Sequence, residues 1–333
     1  MTGKPSKIAA SIILTASLAT IRSPRAGSPA ENHPTIQVIV SGDGRGDFRT
    51  IQQAIDHAPA EGDARLVIAI RPGIYRERIV VPQDRPRVTL LGFGKDPASV
   101  TITYNMSAVL AGGTFLSSTV DAEGSEFEAS NLTIENSFGA GSQAVALMIH
   151  SDRAVLRHCR LIGWQDTLYA ASGRAYFFDS YIEGAVDFIF GDARAVFDHC
   201  EIRSAGPGYI TAQSRTSTDD DTGFVFDHCE LTGQKTDKKT FLGRPWRAYS
   251  RVVFLHTMMG AQIDPAGWSE WHPGETNFLQ TSYYAEYDSS GPGGSPSHRD
   301  SHGKILTAAE AAQFDPKVFL AFPDGWDPTN SGK

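Results

Sequence analysis

Four ten-residue segments in the middle of this chain follow one plan: AVLRHCRLIG (154–163), AYFFDSYIEG (175–184), AVFDHCEIRS (195–204) and FVFDHCELTG (224–233). Cys159, Ser180, Cys200 and Cys229 occupy equivalent places, FEASNLTIEN sets Asn131 in line with them, and RVVFLHTMMG adds Thr257. The steps between members are 28, 21, 20, 29 and 28 residues. A period near 20, stretched by insertions, marks stacked units that contact only their neighbours. Each unit holds short β-branched or aromatic runs divided by Gly, Asn or Asp, and no amphipathic helix. The simplest architecture is all-β: a right-handed parallel β-helix with one coil per repeat.

Small residues at matching places then form a ladder inside the stack. The three cysteines act there as small buried hydrophobes. An odd number rules out a complete disulfide framework, although a bridge between neighbouring coils stays open for Cys159, Cys200 and Cys229. His158, His199 and His228 precede the cysteines. Successive strand residues point to opposite faces, so no His–Cys pair closes on one ion, and a histidine row on the outer surface is expected.

A solenoid needs covered ends. SGDGRGDFRTIQQAIDHAPA reads as a turn into a capping helix, with Phe48, Ile51, Ile55 and Ala58 on one stripe. Its G-x-G-x-G spacing lacks the Lys-Ser/Thr of a phosphate loop. Near the other end, Thr307 and Glu310 form a capping box for TAAEAAQF, a short C-terminal helical segment.

Residues 1–30 stand apart. Lys4 and Lys7 precede the apolar run IAASIILTASLATI, which is followed by RSPRAGSPA. That order is the order of a secretory signal, too short to span a bilayer, with cleavage expected after Ala30. Residues 31–333 then form a single domain. Loss of Lys4, Lys7, Arg22 and Arg25, with no acid among those thirty residues, moves the formal net charge from −8 to −12. An acidic exported protein, periplasmic or fully secreted, is a poor partner for nucleic acid or an anionic membrane. A monomer is the expected state.

The repeat also brings carboxylates together. Asp187, in VDFIFG, follows Ser180 by seven residues, and Asp166, in GWQDTLY, follows Cys159 by seven. Gly184 and Gly163 match in the same way. Coils in register stack the two aspartates about 5 Å apart, and two carboxylates that close divide into one proton donor and one anion. Gln143 and Gln165 lie about one coil apart and offer amide donors to a developing oxyanion. Arg244 brings a permanent cation, and Trp246 a flat face for a sugar ring.

GIYRE (73–77), QAVAL (143–147), GWQDTLY (163–169), VDFIFG (186–191) and LGRPW (242–246) appear in the order found in the pectin methylesterases. The likeness runs from about residue 36 to at least 288, and five ordered blocks make it specific. This resemblance implies hydrolysis of methyl esters on galacturonan, with methyl-esterified homogalacturonan as the partner and no cofactor or metal. Carried over by position, Asp187 resembles the nucleophile and Asp166 the general acid and then base. Gln143 and Gln165 resemble the oxyanion donors. Arg244 would hold Asp187 ionised and touch substrate, Trp246 would pack on the sugar, and Thr114 resembles a substrate-contacting threonine. Trp164 stands where the family often has Tyr, and Asp192 where plant members often have Asn. The insertion SRTSTDDDTG (214–223) reads as a solvated loop more than a groove wall. Three other readings remain open: a β-helical glycosidase on polygalacturonate, an esterase or thioesterase for another substrate, and a non-catalytic carbohydrate-binding solenoid.

Overall fold

The computed structural model describes residues 35–57, 63–234 and 239–330; the expected signal segment, residues 1–30, lies outside them. Pairings between strands are parallel throughout the described residues. Eleven short strands, from Thr35–Val40 to Lys304–Ile305, line up in chain order as one sheet, one strand from each turn of the chain. A second sheet of 13 strands wraps the remaining two faces. It is continuous because Tyr181–Gly191 runs through the bend, pairing with Arg160–Ile162 by its first half and with Leu168–Ala170 by its second. This three-faced coil is the parallel β-helix expected from the repeat.

The coils are held by like stacking on like. Phe177, Phe197, Phe226 and Phe254 are register partners in successive coils, with ring centroids 4.7, 4.5 and 4.5 Å apart. Cys159, Ser180, Cys200, Cys229 and Thr257 form the expected inner ladder, all buried, and the three cysteines are free thiols. Asn131 is not a member. Arg160 pairs with Thr133, so Leu132 is the partner of Cys159 and Asn131 the partner of His158.

That correction exposes a second row. Asn131, His158, Asp179, His199, His228, His256 and Asp288 all have φ between 45° and 55°. Each turns the chain from the eleven-stranded face to the next, and Asn, Asp and His are the residue types that tolerate left-handed backbone best. Their amides keep the ladder unbroken: His158 N donates to Phe178 O at 3.1 Å, His199 N to Asp227 O at 3.0 Å and His228 N to Leu255 O at 3.1 Å. The histidines of this row are exposed while the cysteines after them face the core.

Both ends are covered. Ile51, Ala54 and Ile55 of the helix Ile51–His57 are buried against the first coils, with Phe48 packed beside them; Ala58 lies outside the described residues. The helix start donates Ile51 N and Gln52 N to the Glu77 carboxylate, each at 3.0 Å, so the acid of GIYRE is a helix cap. Thr307 and Glu310 form their capping box. The helix Pro316–Ala321 packs on Arg194–Asp198, and Asp324 anchors the segment after it by an ion pair with Arg174 at 2.6 Å. The 214–223 insertion exposes Asp219 and Asp221 and is pinned through its backbone, Arg194 Nε donating to Asp221 O at 2.7 Å and Arg251 Nε to Thr222 O at 2.6 Å. Among the described residues, no helix is long and apolar enough to cross a membrane.

Candidate active site

The bend in the second sheet builds the site. A Cβ on Gly184 would lie 2.2 Å from Phe188 Cβ, so only glycine lets the chain fold back sharply enough to bring Asp187 round. Leu168 pairs with Ile189, Gln165 bridges to Val186, and Asp166 N donates to Val186 O at 3.1 Å. Asp166 and Asp187 are therefore register partners on adjacent strands, about 4.8 Å apart. Both have left-handed backbone, φ 64° and 49°. Both are nearly closed off, with 8% and 5% of their surfaces exposed.

Their partners differ. Arg244 grips Asp187 with both prongs, Nε to Oδ1 at 2.9 Å and Nη2 to Oδ2 at 2.6 Å. The guanidinium itself is clamped, its Cζ 4.0 Å from the Tyr209 ring centre and 4.2 Å from that of Trp271. Among the described residues, Asp166 makes no ion pair. Burial, then the facing charge of Asp187, pushes its carboxyl up to about 8, with Arg244 opposing. Asp187 departs from the expectation drawn from its neighbour. Arg244 does pull its pKa down, by hydrogen bond and charge, yet burial outweighs both and the net shift is upward. The two carboxyls still differ, because only Asp187 receives charge-assisted bonds, and these favour its anion.

Gln143 and Gln165 sit half-buried at the entry to this face. They are one residue out of register, since Ala144 N donates to Gln165 O at 3.0 Å. Among the described residues neither side-chain amide has a hydrogen-bond partner, which leaves both free for a ligand. Gln165 is bridged to Val186, the residue before Asp187.

An aromatic wall runs alongside. Phe115 stacks on Tyr169 at 4.7 Å, Tyr169 on Phe190 at 4.6 Å, and Phe190 meets Trp246 at 5.9 Å. Phe115 carries its neighbour Thr114 to this wall, and Trp246 closes the other end. The sequence reading missed Tyr209 and Trp271. Tyr209 was findable, because it is the register partner of Val186; Trp271 follows the last repeat and carries no periodic signal. It also missed Asp121, a buried carboxyl pushed up to about 6 by desolvation, with Arg78 at 3.6 Å. Asp121 pairs with Met148, which pairs with Tyr169, so it lies on the same face but away from the pair.

Fold and site define a parallel β-helix with two buried carboxylates in register beside a clamped guanidinium and a row of stacked aromatic rings. A family model described as Pectinesterase matches residues 37–322, and the chain belongs to that family. It is 41% identical over 291 residues to Pectinesterase 31 of Arabidopsis thaliana, spanning 84% of this chain and 90% of the relative. It superposes on the pectin methylesterase from carrot with a TM-score of 0.81 and 35% identity, over 88% of this chain and 95% of that one. A pectin methylesterase solved in complex with a hexasaccharide gives a TM-score of 0.75 and 30% identity, over 91% and 99% of the two chains.

Proposed function

We propose that this chain is a carboxylic ester hydrolase that removes methyl esters from galacturonate units of pectin, releasing methanol, with Asp187 as nucleophile. An Asp187 oxygen attacks the ester carbonyl, and the carbonyl π electrons move onto oxygen. Gln143 and Gln165 donate to that oxyanion. Collapse breaks the bond to methoxide, which takes the Asp166 proton and leaves as methanol. An anhydride now joins Asp187 to the galacturonate. Asp166, ionised, takes a proton from water as the water attacks the galacturonate carbonyl, and Asp187 departs as carboxylate. Every group ends as it began.

The carrying observation is the asymmetry of the pair: Asp187 bidentate to Arg244, Asp166 without a cation and raised to about 8. In this reading Arg244 also contacts substrate, Trp246 offers its ring to a sugar, and Thr114, beside Phe115 at the far end of the aromatic wall, is a further substrate contact. The hexasaccharide held by the solved relative supports a polymer lying along this aromatic wall. The test measures methanol and reducing ends together on highly methylated pectin. Methanol without new reducing ends is the expected result. Reducing ends without methanol make the chain a glycosidase, and neither product makes it a binder.

Residues 1–30 are assigned in the same reading to a secretory signal that delivers residues 31–333 outside the cytoplasm as a monomer. The mature N-terminus tests this: it should begin at Glu31, and an uncut chain would contradict it.

A further inference from the structure

We propose that Asp227, His228 and His256 form a binding site for one divalent transition-metal ion, on the outer turn row and away from the carboxylate pair. The His228 and His256 rings stack at 4.6 Å and 24°. Their Nδ1 atoms lie 2.9 and 2.8 Å from the same oxygen, Asp227 Oδ1. Two ring nitrogens converging on one carboxylate oxygen is an arrangement that a shared cation can replace. A second triad, Asp198, His199 and His228, likewise has its three ligand atoms within 4.8 Å of one another. There Asp198 accepts from the Tyr176 hydroxyl on its other oxygen at 2.6 Å, while among the described residues Asp227 has no such partner. Both triads need His228, so only one ion is held.

The backbone fixes these positions beforehand. His228 and His256 are left-handed at φ 51° and 46°, and their amides are tied to Leu255 O and Tyr287 O. The cysteine after His228 is buried and faces the core, so the second imidazole comes from His256 on the next coil. Both imidazoles are half open to water, with 50% and 36% of their side chains exposed, leaving room for solvent to complete a tetrahedral shell. Two imidazole nitrogens and one carboxylate suit zinc, copper or nickel, not magnesium or calcium. Bound metal would staple two successive coils.

The row contains its own control. The Phe178 ring separates His158 from His199, with centroids 6.5 and 5.9 Å away, and His158 has only the exposed Asp179 at 2.9 Å. The experiment is calorimetric titration of the chelator-treated full chain with zinc chloride, then copper chloride. One ion per chain is expected, copper tighter than zinc, and zinc raises the Tm. His228→Ala removes the binding, His256→Gln weakens it more than about tenfold, and His158→Ala leaves it unchanged. Circular dichroism checks the fold of each variant. Absence of saturable binding overturns the proposal, as does affinity indifferent to His228→Ala. Binding lost in His228→Ala yet intact in His256→Gln overturns the Asp227 assignment in favour of the neighbouring triad.

Discussion

Two sets of residues in this molecule share one backbone conformation and little else. The turn row runs from Asn131 to Asp288 at φ between 45° and 55°, one residue per coil, with its side chains largely in water. Asp166 and Asp187 have nearly the same φ, 64° and 49°, but occur in two coils only and are closed off. In the turn row a polar residue serves geometry, since Asn, Asp and His each hold the turn. At the pair, burial and a single guanidinium convert the same residue type into chemistry. A left-handed aspartate is thus common currency in this fold. What distinguishes the pair is desolvation, which raises both pKa values, and Arg244, whose charge opposes that rise at both but whose hydrogen bonds go only to Asp187.

The sharpest contrast sets Asp187→Ala against Asp179→Ala. Removing the nucleophile should lower kcat for methanol release by at least about 10⁴-fold, whereas the turn-row change should leave kcat within about twofold. Comparable losses in both would collapse the distinction. Gln165→Ala removes an amide that lies outside both sets, and a loss of about 10²–10³ in kcat with little change in KM is expected. An unchanged turnover would deny it the oxyanion role.

Arg244→Gln asks whether the guanidinium makes the difference. Arg244 lowers the Asp187 pKa, so its loss raises that pKa and the acid limb of kcat/KM moves to higher pH. A shift to lower pH, or none, would mean that Arg244 does not hold the anion. The smallest effect is on stability. Asp166 ionises near 3.8 in the unfolded chain and near 8 when folded. The fold therefore favours the protonated form; that contribution is complete below 3.8 and is lost as pH climbs through about 8. Asp166→Asn removes the penalty, so the variant should gain about 1–3 kcal/mol over the parent above pH 8 and nearly nothing at pH 4. Equal gains at both pH values would tie the effect to packing, not to charge.

Most of this contrast was legible in the chain. The spacing from Ser180 to Asp187 and from Cys159 to Asp166 placed the pair, because coils of 21 and 20 residues hold their phase. The phase failed where coils lengthen. Asn131 was set in the inner ladder because a small polar residue fits either row, and only the pairing of Thr133 with Arg160 moves it to the turn. Gln143 and Gln165, read as about one coil apart, stand one residue out of register, with Ala144 opposite Gln165. Trp271 follows a long irregular segment with no repeat to index it. The net rise at Asp187 was also hidden, since spacing names the neighbouring cation but does not give the depth of burial that competes with it.

The central claim is that the resting enzyme keeps a proton on Asp166 beside an ionised Asp187. Carbon-13 NMR titration of aspartate carboxyls in the parent, Asp166→Asn and Asp187→Asn chains reads this directly. The account predicts a carboxyl that titrates near pH 8, is absent from Asp166→Asn, and moves to lower pH in Asp187→Asn, where the facing charge is gone. No such high titration in the parent, or its disappearance only when Asp187 is replaced, would contradict it.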